Sequence, residues 1–173
     1  EEALSESELC AEMSKGAKAV SLDADILILG EMGIGNSTIS SALAASVFGG
    51  DVARWVGAGA GSDAAGIAHK QAVIQKGLAK NGARPSLGAL LAFGGREQAA
   101  ICGAILAARS ARIPVLLDGF ICTAAAAPLF GLASASLDHC LVGHMSAEPG
   151  HQHLLTAMGK SAILNLEMRL GEG

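Results

Sequence analysis

The sequence has no tyrosine, one tryptophan and no block of lysine or arginine, and its formal net charge is −4. Nucleic-acid binding draws on clustered cations and stacking aromatics, so this composition argues against it. No apolar run approaches the roughly 20 residues that span a bilayer; the longest, such as 113–117, are strand-sized. The start lacks the basic, apolar, small-residue order of a secretory signal, so a cytoplasmic setting is expected. The four cysteines, Cys10, Cys102, Cys122 and Cys140, form no C-x-x-C pair. They are expected to be buried small hydrophobes in a reduced compartment, because a zinc site needs close ligand pairs. His151 and His153 are two positions apart and cannot share a helix face, so both are read as surface residues rather than metal ligands.

What the chain does have is small apolar side chains. Half of its 173 residues are hydrophobic, 16% are charged and 23 are glycine. That is enough to bury a core, which excludes disorder, and the length suits one domain or a large part of one. The organising stretch is ILILGEMGIGNST at 26–38. It reads as a buried strand over 26–30, a glycine turn with Glu31 at its tip, and a helix over 37–48 that Asn36, Ser37 or Thr38 could cap. Such a joint, at the carboxyl end of a strand, is where open α/β sheets bind ligands. The free N–H groups of the helix start suit an anion.

Spacing predicts further elements in order. An amphipathic helix covers 2–19, and a second strand-like run, VARWVGAGAG, covers 52–61. A helix over 63–80 is capped by Ser62 or Asp63 and stopped by Asn81-Gly82. Pro85 opens the next helix. After the Gly94-Gly95 turn come a helix over 97–110, a buried strand over 113–118, an alanine helix over 121–127, a strand over 138–143 and helices over 150–158 and 160–168. Strands alternate with helices and no hairpin signal intervenes, which predicts an α/β fold: a Rossmann-like parallel sheet with helices on both faces. Right-handed crossovers would bring Glu31, the 57–61 loop, Asp118 and the His144 loop to one rim.

Several groups on that rim have a chemical and a bland reading. Alternating Gly57, Gly59 and Gly61 before a capped helix can cradle a phosphate, or can form a plain tight turn. The loop is neither a Walker sequence nor a dinucleotide fingerprint. Lys70, two turns into the next helix, suits a phosphate or simply solvent. Glu31 and Glu172 are flanked by glycines, a setting suited to a general base close to a ligand and equally to a turn acid. Asp118 can hold a ribose hydroxyl or cap a turn. Ser146 sits in no Gly-x-Ser-x-Gly elbow, which weighs against a serine-hydrolase triad and leaves it a polar loop group. The residues alone reach a phosphate- and sugar-binding α/β domain with glycine-held acids.

LGEMGIGNST, WVGAGAGSDAAGIAHK, Gly94-Gly95, PVLLDGF, HMSAEPG and MRLGEG together, in this order, resemble the nicotinate-nucleotide–dimethylbenzimidazole phosphoribosyltransferase family over nearly the whole chain. The resemblance implies transfer of phosphoribose from nicotinate mononucleotide to 5,6-dimethylbenzimidazole, giving α-ribazole 5′-phosphate and nicotinate in cobalamin lower-ligand synthesis. It implies no metal or organic cofactor and a homodimer acting on small molecules. It casts Glu172 as general base and Glu31 as a second acid at the reacting centre. Met32 and Leu170 would line the base pocket. Gly57, Ala58, Gly59 and Lys70 would bind the phosphate, and Asp118 and Ser146 would serve as ribose or structural contacts.

The family's chains are longer, and this sequence begins and ends abruptly. Residues 1–173 are therefore expected to be the C-terminal portion of the large Rossmann-like domain, without its N-terminal part or closing segment, and are not expected to catalyse unaided. The rival readings are a nucleotide- or azole-binding fragment without turnover, a nicotinamide-dependent oxidoreductase, and a phosphoribosyltransferase with another acceptor base. The first βα turn lacks G-x-G-x-x-G, which weighs against the oxidoreductase.

Overall fold

The structure is a computed structural model that describes residues 2–168. Helix α1 (Glu6–Ala19) opens on a capping box, in which Ser5 Oγ accepts from Glu8 N–H and the Glu8 carboxylate accepts from Ser5 N–H. Strand β1 (Leu27–Leu29) leads through the glycine turn into α2 (Asn36–Phe48). Helices α3 (Ala64–Asn81), α4 (Leu87–Phe93) and α5 (Arg96–Ala111) follow before β2 (Val115–Leu117). Then come α6 (Gly119–Leu132), β3 (Cys140–Ser146), α7 (Pro149–Met158) and β4 (Ala162–Met168).

The strands are all parallel and lie in the order β1-β2-β3-β4. This is the parallel α/β architecture expected, with one difference in how it is covered. When consecutive strands are also neighbours, right-handed crossovers put every connecting helix on the same face. Register aligns Leu27, Val115 and Cys140 on that face, followed by Leu29, Leu117 and Val142. The opposite face carries Ile28, Leu116 and Leu141, and here Ile28 is 64% and Leu141 52% exposed. Strand β1 is therefore an edge strand with one bare side and not the buried strand expected, and no helix covers that side among the described residues. The core lies between sheet and helices, where Leu43, Leu90, Ile105, Val115, Leu117, Phe120 and Leu129 are essentially inaccessible.

Several local expectations fail for identifiable reasons. The run over 52–61 is a single 3-10 turn, Val52–Arg54, capped by Asp51 and followed by loop. Its apolar residues, Val52, Trp55 and Val56, are buried as side chains and add no strand to the sheet. Residues 144–146, expected as loop, extend β3, and residues 162–168, expected as helix, pair with β3 as β4. A short apolar run does not distinguish helix from strand, and a neighbouring strand decides it. Helix α6 runs past Pro128, beyond the expected end at 127, with that proline fully inside it.

Small residues set the helix spacing. An ideal Cβ on Gly103 would sit 2.6 Å from the Met13 carbonyl carbon, and one on Gly16 would sit 2.5 Å from that of Ala100. Helices α1 and α5 thus touch backbone to backbone. The Gly103→Ala variant is expected to push α1 away and to lose roughly 1–3 kcal/mol in urea unfolding, the usual cost of overpacking. Unchanged stability would show a looser approach.

Candidate active site

The cavity lies at the carboxyl ends of β1, β2 and β3, measures about 830 Å3, and is lined by the 31–38 turn, residues 59–62, Lys70, 118–121, Ser146 and Glu148. That volume suits a nucleotide-sized ligand. Its position follows from topology, because in a parallel sheet each strand's carboxyl end feeds the next helix. Accordingly Gly35, Asp118 and Glu148 stand at the N-cap positions of α2, α6 and α7, and none of the three makes a side-chain cap. Uncapped N-termini bring unshared N–H groups and partial positive charge to this rim.

Against that field stand three carboxylates. Glu31 accepts a hydrogen bond from the Asn36 amide; Asn36, expected as a helix cap, is buried and holds the acid instead, while the cap position falls to Gly35. Asp118 is tied to the end of β1, where its N–H donates to the Leu29 carbonyl at 3.0 Å. His144 Nδ1 lies 3.1 Å from Asp118 Oδ1, and its Nε2, also buried, has no partner among the described residues. A carboxylate only accepts, so the ring donates from Nδ1. Glu148 lies across the cavity and accepts from the Gly59 N–H at 2.6 Å.

Lys70 is the one cation among the described lining residues. Its ammonium reaches Ser37 Oγ at 3.2 Å and the carbonyls of Ala58 and Gly57 at 3.3 and 3.4 Å. Of the residues singled out in the sequence, Glu31, Met32, Gly59, Lys70, Asp118 and Ser146 line the cavity. Met32 stands at its mouth, 86% exposed. Gly57 and Ala58 lie in the same loop but do not line it. Leu170 and Glu172 lie outside the described residues.

Beneath the rim, His151 corrects the surface reading made of it. It is fully buried, with Nδ1 accepting from the Ser146 N–H at 2.9 Å and Nε2 3.3 Å from Thr123 Oγ1. Its helix begins at Pro149, which turns position 151 inward with Leu154, Leu155 and Met158. His153 is half-buried against Trp55. Burial, with His144 nearby, lowers the His151 pKa to about 4. Cys102, Cys122 and Cys140 are buried as expected, and Cys10 is exposed. Burial raises the Cys122 thiol to about 12, with Asp118 and Glu31 adding to it, so it stays protonated beside the acids. Among the described residues no His, Cys, Asp or Glu cluster could hold a metal, and no helix is long and apolar enough to cross a membrane.

Sequence reasoning brought the loop from His144 to Glu148, with its imidazole, hydroxyl and carboxylate, to this rim; it missed the His144–Asp118, Glu148–Gly59 and Asn36–Glu31 pairings, which depend on how β3 and the turns pack.

A parallel α/β sheet with glycine turns, acids and a lysine at its carboxyl rim places the chain in the Rossmann-like α/β class. A family model described as phosphoribosyltransferase matches residues 1–173. The nicotinate-nucleotide–dimethylbenzimidazole phosphoribosyltransferase of Rhodobacter capsulatus is 61% identical over 171 residues, covering 99% of this chain and 51% of that protein. That of Roseobacter denitrificans is 54% identical, covering 98% and 51%. The crystal structure of CobT from Thermus thermophilus superposes with a TM-score of 0.86 at 36% identity, covering 96% of this chain and 50% of that one. The chain therefore belongs to the nicotinate-nucleotide–dimethylbenzimidazole phosphoribosyltransferase family, and it spans about half the length of the curated relatives it matches.

The His151 shift carries a pH dependence. An unfolded imidazole takes its proton near 6.5 and this folded one near 4, so as pH falls the unfolded chain binds first. Stability from this group is complete above the unfolded value and is lost between the two, on the order of 3 kcal/mol at most. Urea unfolding at pH 7 and pH 4.5 should show that loss, and His151→Gln should flatten it. An unchanged slope in the variant would assign the acid sensitivity elsewhere.

Proposed function

We propose that the protein transfers the phosphoribosyl group of nicotinate mononucleotide to 5,6-dimethylbenzimidazole, releasing nicotinate and forming α-ribazole 5′-phosphate. The observation that carries this reading is the cavity itself, where Glu31, Asp118 and Glu148 face Lys70 and uncapped helix N-termini in a space of nucleotide size. A sugar phosphate needs cationic and N–H donors at one end and acceptors for its hydroxyls at the other. Lys70 and the 57–61 loop serve the first need, and Asp118 and Ser146 the second. Identity of 61% to a relative bearing that activity in its name supports the same choice.

The chemistry follows from the substrates. The bond from the anomeric carbon to the pyridinium nitrogen breaks, and nicotinate leaves with the electron pair. A benzimidazole nitrogen forms the new bond from the opposite face, which inverts the centre. The other ring nitrogen becomes acidic as it does so, and a carboxylate takes its proton. Glu172 is proposed as that base, with Glu31 beside the reacting centre and Met32 and Leu170 against the flat ring. No metal or organic cofactor enters these steps.

The rest of the reading concerns assembly. We take residues 1–173 as the C-terminal portion of a larger Rossmann-like domain, because the relatives are twice as long and one apolar face of the sheet is bare. A cytoplasmic homodimer is proposed from the family resemblance alone. The same bare face favours a second reading, ligand binding without turnover.

Incubation with both substrates, followed by mass detection of α-ribazole phosphate, tests the choice. Product is expected from the intact enzyme, and Glu172→Gln there should lower its rate about 10²-fold or more, the ordinary size of a lost general base. Saturable binding of nicotinate mononucleotide without product would select the second reading. A near-wild-type rate in Glu172→Gln would remove that residue from its role.

A further inference from the structure

We infer that Glu148 is a positioning residue for the anion-binding loop, a role that rests on the phosphoribosyl reading. It is the residue before α7, where an acid ordinarily bonds the free N–H groups of its own helix. It makes no such bond here. Its side chain instead reaches residue 59, 89 positions away in sequence, and Oε1 accepts from the Gly59 N–H at 2.6 Å. The other carboxylate oxygen lies against Gly57, so closely that a Cβ there would collide with it and with Pro149 Cδ at 2.6 Å. Helix and loop also meet at Gly150, whose missing side chain admits the Trp55 carbonyl. The main chain of Glu148 is fixed as well, since its N–H donates to Ser146 Oγ and its carbonyl accepts from the His151 N–H.

The loop is thus held from two sides by opposite charges. Lys70 holds the carbonyls of Gly57 and Ala58, and Glu148 holds the N–H of Gly59. Gly59 has φ +58, a left-handed conformation that the flanking grips maintain. The Gly59 N–H is committed to an internal acceptor and is not a phosphate donor. Its bond fixes the peptide orientation of the residues beside it, which sets how the loop and Lys70 present themselves to a phosphate. A neutral acceptor of the same length can do this work, and a truncated side chain cannot.

The test compares Glu148→Gln with Glu148→Ala. Two quantities are read: the Gly59 amide proton resonance, and the affinity for inorganic phosphate and nicotinate mononucleotide. A proton held by a carboxylate at this distance resonates far downfield, so the wild-type signal should move upfield in both variants, more in Ala. Affinity should fall roughly tenfold in Ala, the worth of one charge-assisted hydrogen bond, and should stay near wild type in Gln. Where turnover is measurable, KM for the nucleotide should rise in Ala with kcat little changed. Tighter phosphate binding in Ala would overturn the inference, because it would make Glu148 a competitor for the anion rather than a brace. A Gly59 signal that does not respond to either variant would also overturn it. If the wild type ignores nicotinate mononucleotide, the functional reading fails by itself, while the Gly59 signal still decides whether the brace exists.

Discussion

The constraint on which the rest depends is the order of four parallel strands, each beside its neighbour in sequence. One hand of crossover then serves all of them, so the helices collect on one face and the strand ends collect on one rim. The ends of β1, β2 and β3 lie adjacent, and α2, α6 and α7 start there. Residues as distant as Glu31, Asp118 and Glu148 become lining groups of one cavity without any loop having to reach far.

Electrostatics at that rim are balanced by placement. Three carboxylates would repel one another in a dry cavity. Each is instead held by a donor: Asn36 for Glu31, His144 for Asp118, the Gly59 N–H for Glu148. The donors are buried or belong to the backbone, so the acids keep their orientation at the cavity wall. Lys70 is spent on carbonyl and hydroxyl oxygens and stays within reach of the same space. A site prepared in this way loses little freedom when a charged sugar binds, and that saving is what makes positioned groups effective.

Rigidity beneath the rim comes from tight backbone contacts more than from large side chains. Gly16 and Gly103 let α1 sit directly on α5, and Gly150 lets α7 sit against Trp55. His151, neutral and fully buried, links Ser146 at the rim to Thr123 in α6. The alanine-rich α6 is buried along most of its length between these elements. The cavity is thereby carried by elements with little room to shift, while the opposite sheet face keeps its apolar residues uncovered.

The sequence by itself determined the parallel α/β class, most helices and the identity of the glycine turns. Capping residues, helix-stopping glycines and apolar periodicity are local signals that need no partner, as at Asp63 and Gly82. The grouping of Glu31, Lys70, Asp118 and Ser146 was legible because the order of strands and helices places their turns on one rim. What only the tertiary structure decided was every outcome that depends on a neighbour. Residues 162–168 became a strand because β3 offered them an edge, and 52–61 stayed out of the sheet because its apolar side chains were taken up by the helices. His151 was buried because α7 starts at Pro149 and turns that position toward α6. Asn36 left its capping role for Glu31, and Glu148 left its own helix for Gly59, since each acid or amide takes the partner that folding brings within bonding distance, which a linear pattern does not encode.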